Sequence, residues 1–362
     1  MEKSKPKRKF DVEKIYSMEI KKLIYLHRYP IEDESIQFPG FKKLKEKACK
    51  NFKFYYCSMK GIKPKDKELR INANFIELPF TINRNNNFDK WFKTVLYLLY
   101  FPIIWLKIKL MKPDAIICAE PLPLVPLLLA KLRIPMMIIA SDWWWSITFG
   151  ESRFTQFIEN FEVKRWNKPW VIIIAHSNAE KNLLIRKGFS EDRIIINYPK
   201  FKPNKNYKII KVSKEEMGFK KSDKLIVAHG IMHPSKDYIN IIKCWKKIER
   251  KNSNLKLVLV GGGGEENKLK NLIKELKLKN VVLTGWLKNE TDVNKYLNVA
   301  DTLLVSRQVN QANEGVIPSS LYHAMALKKN ILATDLPGIR EFSNGYKRIN
   351  FYKNNKELIK NV

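Results

Sequence analysis

No uncharged stretch of this chain is long enough to cross a bilayer. The longest, residues 94–106 (TVLYLLYFPIIWL), has thirteen residues and contains Pro102, whereas a spanning helix needs roughly 18 to 20. No leader pattern is expected at the start either. The opening MEKSKPKRKF is polar with no apolar run behind it, so a frayed basic tail is expected there rather than a signal peptide. Cysteine is scarce, and Cys49, Cys57, Cys118 and Cys244 stand apart with no paired metal-ligand spacing. That pattern argues against a disulfide scaffold and a metal site, and favours a reduced cytosolic protein. Acidic residues are few: 36 Asp and Glu face 68 Lys and Arg, leaving a net charge of +32. The excess is even, with 28 basic against 15 acidic residues in 1–150 and 40 against 21 in the remainder. No basic stripe with interleaved aromatics stands apart from the core elements, as a nucleic-acid groove needs. The charge therefore favours anionic partners such as nucleotide sugars or anionic lipid surfaces.

What is present is core material. With 45% hydrophobic and 12% aromatic residues in 362, the chain can bury enough surface for two domains. Short apolar runs at 23–27, 52–57, 73–78, 115–118, 136–140, 171–175 and 194–197 read as buried parallel strands. Helical patterns at 40–51, 88–112, 123–132 and 179–187 lie between them. Strand and helix alternate, which implies a doubly wound α/β domain over 1–198. A lysine-rich stretch with two prolines, 199–224, reads as a linker. A second alternation fills 225–362: strands at 225–229, 255–260, 281–284, 302–305 and 331–334, with helices at 236–251, 265–278 and 291–299. The expected fold is two Rossmann-like doubly wound parallel-sheet domains facing a cleft. Residues 91–113 carry only positive charges, Lys93, Lys107, Lys109 and Lys112, around an aromatic, apolar body. They read either as a kinked core helix or as an interfacial membrane segment.

In parallel α/β sheets ligands sit beyond the carboxyl ends of the strands. Four segments fall there: 230–236, the glycine run 261–264, Gly285-Trp286-Leu287, and 307–314. In the last, a loop ends at Glu314-Gly315, and Pro318-Ser319-Ser320 opens a helix whose first amides suit an anion. Alone, this is an ordinary crossover; the convergence of the four segments makes it a candidate site.

The segments GIMHPSKDY (230–238), LVLVGGGGEENKL (257–269), VVLTGWL (281–287) and NEGVIPSSLYHAMALKKNILATDLPGIRE resemble, in this order and spacing, the retaining glycosyltransferases of family 4, which have the GT-B fold. The resemblance covers 224–341 well and the N-terminal half loosely. It implies a metal-independent hexosyltransferase, without cofactor, that moves a sugar from a nucleotide-sugar donor to a glycan or lipid-linked glycan. Lys236 matches the lysine that neutralises the leaving diphosphate, Glu314 the glutamate near the donor sugar, and Asp142 an aspartate that faces the acceptor hydroxyl or the donor sugar. The other donor contacts fall at Gly230, His233, Gly262, Gly263, Gly285, Trp286, Leu287, Arg307, Gly315, Val316, Ile317, Ser319, Ser320 and His323.

Two positions depart from the family pattern. Ile231 stands where an arginine is usual, and His323 where a second glutamate holds the ribose; imidazole cannot accept two hydrogen bonds as a carboxylate does. Each residue also has a plainer reading: Lys236 as a solvated first-turn lysine, Asp142 as a helix cap, His323 as a surface histidine. The alternatives are a GT-B nucleotide-sugar epimerase and a non-catalytic basic binding protein on a transferase scaffold. A cytoplasmic protein, peripheral on the inner face of the membrane, is expected. After Phe351-Tyr352 the sequence ends at a helix start, where relatives continue with helices that cross back to the N-terminal domain.

Overall fold

The computed structural model describes residues 20–27, 46, 48–60, 72–81, 87–119, 124–139, 143, 145–146, 150–198 and 207–362. Two compact units divide the chain: Met1–Ala175 with Lys181–Asn197, and His176–Glu180 with Tyr198–Val362.

In the first unit seven strands form one parallel sheet: β1 (Lys22–Leu26), β2 (Lys53–Lys60), β3 (Asn74–Thr81), β4 (Ala115–Ala119), β5 (Met136–Ile139), β6 (Val171–Ala175) and β7 (Ile194–Ile196), in the order β3-β2-β1-β4-β5-β6-β7. Their apolar runs follow from burial on both faces; all five residues of β6 are buried. The helices are α1 (Asn87–Met111), α2 (Val125–Ala130), α3 (Arg153–Trp166) and α4 (Asn178–Arg186), the first three residues of α4 falling in the second unit. Pro102 lies inside α1 without ending it. The sequence pattern gives no sign of α3. It starts at a reciprocal cap, where Thr155 N donates to Ser152 Oγ at 3.1 Å and Ser152 N donates to Thr155 Oγ1 at 2.9 Å. Of the helix expected at 40–51, the described positions 46 and 48–51 are helical.

The second unit holds a six-stranded parallel sheet: β8 (Lys224–His229), β9 (Leu255–Val260), β10 (Val281–Leu283), β11 (Thr302–Val305), β12 (Asn330–Thr334) and β13 (Ile349–Tyr352), ordered β10-β9-β8-β11-β12-β13. Its helices are α5 (Tyr238–Lys251), α6 (Glu266–Glu275), α7 (Glu290–Val299), α8 (Ser319–Ala326), α9 (Pro337–Phe342) and α10 (Asn355–Asn361). α5 buries Tyr238, Ile241, Ile242, Trp245 and Ile248 along one face, each worth about 1.5–3 kcal/mol of apolar burial. Residues 207–223, within the stretch that reads as a linker, fold onto this unit. Tyr207, Val212, Met217 and Phe219 pack against its core, and Ile210 N donates to Asn298 Oδ1.

Candidate donor site

β10, β9, β8 and β11 are neighbours in that order, so the loops at their carboxyl ends lie side by side. The glycine run serves these loops first as a joint. A Cβ on Gly261 would stand 2.4 Å from Gly230 O, and one on Gly263 2.6 Å from Met232 O. Met232 N donates to Gly262 O at 2.8 Å. Only glycine lets the two loops approach this closely, helped by positive φ at Gly230, Gly261 and Gly263. The Trp286 indole lies across Gly262, 2.6 Å from where a Cβ would be, and is itself exposed. Gly285, at φ 66°, turns the chain into it, while Leu287 packs into the core.

Lys236 ends a short 3-10 turn (Pro234–Lys236) and precedes α5, because Asp237 adopts left-handed geometry at φ 60°. The solvated first-turn reading is therefore replaced: its ammonium is buried, points at Gly230, and is pushed down to about 7 by desolvation and then by the Arg307 guanidinium. The surrounding chain fixes it. Ser306 Oγ donates to Lys236 O at 2.6 Å, Arg307 Nη1 donates to Ser235 Oγ at 2.9 Å, and Gln308 N donates to Ser235 O. His233 acts as the cap of this turn, its Nδ1 accepting from Ser235 N at 3.2 Å. Two cations thus converge at the ends of β8 and β11, a pairing that suits a multiply charged anion.

His323 is not a surface residue. Its Nδ1 lies 2.8 Å from Nε2 of His229, the last residue of β8, and Tyr207 stacks on its ring with centroids 3.7 Å apart. Burial holds His323 at about 4 and His229 well below the usual imidazole range, with Lys236 acting in the same direction on both. The pair is neutral at pH 7. Sequence reading missed both partners. Tyr207 is hidden in the lysine-rich stretch, whereas the place of His229 immediately before Gly230 at a strand end was an available signal.

Glu314 follows the 3-10 turn Gln311–Asn313, and its carbonyl accepts from Gly338 N at 2.7 Å. Gly315 is set by packing: its Cβ would meet Glu180 Cβ at 2.5 Å, and its carbonyl accepts from Ser177 Oγ at 3.0 Å. Val316 and Ile317 continue this turn half-buried. Pro318 is the N-cap of α8, not its first helical residue as the pattern predicts, and no side chain caps the amides that follow. Ser319 is exposed there and Ser320 buried. The loop end, Lys236 and Arg307 are supplied by adjacent strands β8 and β11.

Asp142 lies outside the described residues. Elsewhere in the first unit, Ser146 N donates to Glu159 Oε1 at 2.9 Å, Trp145 Nε1 to Glu162 Oε2 at 3.0 Å, and Leu124 N to Glu162 Oε1 at 2.8 Å. Lys187 pairs with Glu159 at 2.7 Å, both side chains being buried, and lies over the Trp143 ring. Among the described residues no three His, Cys, Asp or Glu side chains gather to hold a metal ion, and none of the four cysteines forms a disulfide.

Two parallel-sheet α/β units, the second with an anion-ready cluster of strand-end loops, define a GT-B fold. Residues 209–362 match the family of glycosyl transferases group 1. An uncharacterized glycosyltransferase of Haemophilus influenzae is 28% identical over 170 residues, 47% of this chain; the match spans 43% of that relative's length. Similar solved structures include WaaG, a glycosyltransferase involved in lipopolysaccharide biosynthesis (TM-score 0.63, 15% identity, 93% of this chain and 88% of that one). Anabaena HepE in complex with UDP and glucose is another (TM-score 0.60, 15% identity, 94% and 88%). Sucrose-phosphate synthase of Thermosynechococcus elongatus is a third (TM-score 0.61, 12% identity, 94% and 88%).

Proposed function

We propose that the protein is a retaining glycosyltransferase of family 4 that moves a hexosyl group from a nucleotide-sugar donor to a hydroxyl of a glycan or lipid-linked glycan, without a metal ion. The observation that carries this reading is the buried Lys236 ammonium beside the Arg307 guanidinium, at the strand end next to the 314–320 loop. As the glycosidic bond to the diphosphate breaks, charge grows on the leaving oxygens. Preorganised cations and the open amides at the start of α8 stabilise that charge more than the ground state. Glu314 faces the donor sugar, Asp142 orients the acceptor, and the neutral His229–His323 pair offers the ribose a single hydrogen bond. Complexes of HepE with UDP and with UDP-glucose support a uridine donor.

The test is release of nucleoside diphosphate from UDP-sugars with a glycan acceptor. Lys236→Ala and Glu314→Ala are expected to lower kcat at least about 100-fold. Equal release from wild type and both variants would sink the assignment, and epimerised sugar formed from donor alone would favour the epimerase instead.

A further inference from the structure

His229 and His323 come from different elements and meet edge to edge. His229 is the buried last residue of β8, and His323 lies half-buried one turn into α8. Nε2 of the first is 2.8 Å from Nδ1 of the second. Tyr207 stacks on the His323 ring within 12° of parallel. The stack fixes the plane of this imidazole, and the contact with His229 fixes its direction.

One proton lies between the two rings. Burial holds both imidazoles neutral; the Lys236 ammonium adds to this on each, and Glu290 opposes it on His323. A neutral imidazole has one donor and one acceptor. If His229 donates, Nδ1 of His323 accepts and its Nε2 carries the remaining proton. If His323 donates, its Nε2 is an acceptor only. In either tautomer His323 offers a ligand one nitrogen and one hydrogen bond.

The place of the pair decides which part of a ligand it meets. The anion-binding groups are the first amides of α8 and the buried Lys236 ammonium, which stands 3.5 Å from where a Cβ of Gly230 would be, beside His229. His323 follows Ser319 by four residues and so shares its side of α8. A nucleoside diphosphate with its phosphates on those groups has the pentose as its next polar part, one turn along the helix.

Resting on the proposed donor site, we infer that the protein does not distinguish ribose from 2′-deoxyribose and takes thymidine diphosphate sugars as well as uridine diphosphate sugars. A site rejects an analogue that lacks a hydroxyl when the loss strands a buried polar group. A carboxylate that accepts from both hydroxyls of a ribose would be stranded by a deoxy sugar. The outer nitrogen of His323 is satisfied by whichever hydroxyl remains, so no group is stranded. His323 is then a specificity-determining residue, and it acts by what it fails to select.

The experiment is calorimetric titration of the full chain with UDP, dUDP and dTDP, in which dUDP separates the missing hydroxyl from the thymine methyl group. Wild type is expected to bind all three with Kd values within about threefold, and His323→Glu to prefer UDP over dUDP by at least about tenfold. Far-UV circular dichroism checks that the variant is folded; where it is not, the wild-type ratio decides alone. A wild-type preference for UDP over dUDP of about tenfold or more overturns the inference and leaves the donor site standing. An unchanged ratio in folded His323→Glu also overturns it, because the pentose would then lie elsewhere. Failure of all three nucleotides to bind overturns the donor site itself, and this inference with it.

Discussion

The proposed donor site turns on Lys236. With its ammonium held at about 7, a growing fraction is neutral above pH 7, and a diphosphate must then draw a proton in order to bind. The thermal shift given by UDP is therefore expected to be larger at pH 6.5 than at pH 8.5, and Lys236→Met should flatten that dependence. Stability measured without nucleotide is expected to follow the opposite trend. The folded-state pKa of Lys236 lies below the unfolded value, so stability rises as pH goes from 7 towards the ordinary lysine range. The histidine pair has the same sign at lower pH: His229 and His323 are both depressed, so their contribution is lost as pH falls below the ordinary imidazole value and the unfolded chain takes up protons. His323→Ala removes one hydrogen bond and one ring stack, and is expected to cost about 1–2 kcal/mol in urea unfolding. Motif spacing brought Lys236, Glu314 and His323 into view. It could not show that His323 faces inward, because that depends on Tyr207 and His229, which are distant in the chain.

Elements with a conventional pattern were legible. The apolar face of α5 and the buried runs of β8, β9 and β11 follow directly from periodicity, and Trp245→Ala there is expected to cost about 3–5 kcal/mol by denaturant titration. α3 was illegible for a physical reason: its outward side holds three phenylalanines, while its inward side mixes Thr155, Glu159 and Glu162 with Val163 and Trp166, so no apolar stripe separates the two faces. The inward acids are satisfied individually, by Ser146 N and Lys187 for Glu159, and by Leu124 N and Trp145 for Glu162. Leaving Lys187 buried without its partner is expensive, and Glu159→Gln is expected to lose about 3–5 kcal/mol; Glu159→Met combined with Lys187→Leu should recover most of it. Thermal melts of the three proteins separate a buried pair from a solvated one.

At the scale of the molecule, each unit has its own sheet and its own set of buried apolar residues, so calorimetry is expected to resolve two transitions, of which UDP raises one. A single transition shifted as a whole would contradict this. The boundary between the units is not where composition changes. Residues 176–180 belong with the second unit although they follow β6 of the first, and they supply Ser177 and Glu180 against Gly315. The second unit is therefore discontinuous in the gene. A fragment cut at 199 would carry every motif of the donor site yet lack the piece that backs its turn, so it is expected to keep its sheet and bind UDP more weakly than the intact chain. The unit of heredity that encodes this site is longer than the stretch in which its motifs can be read.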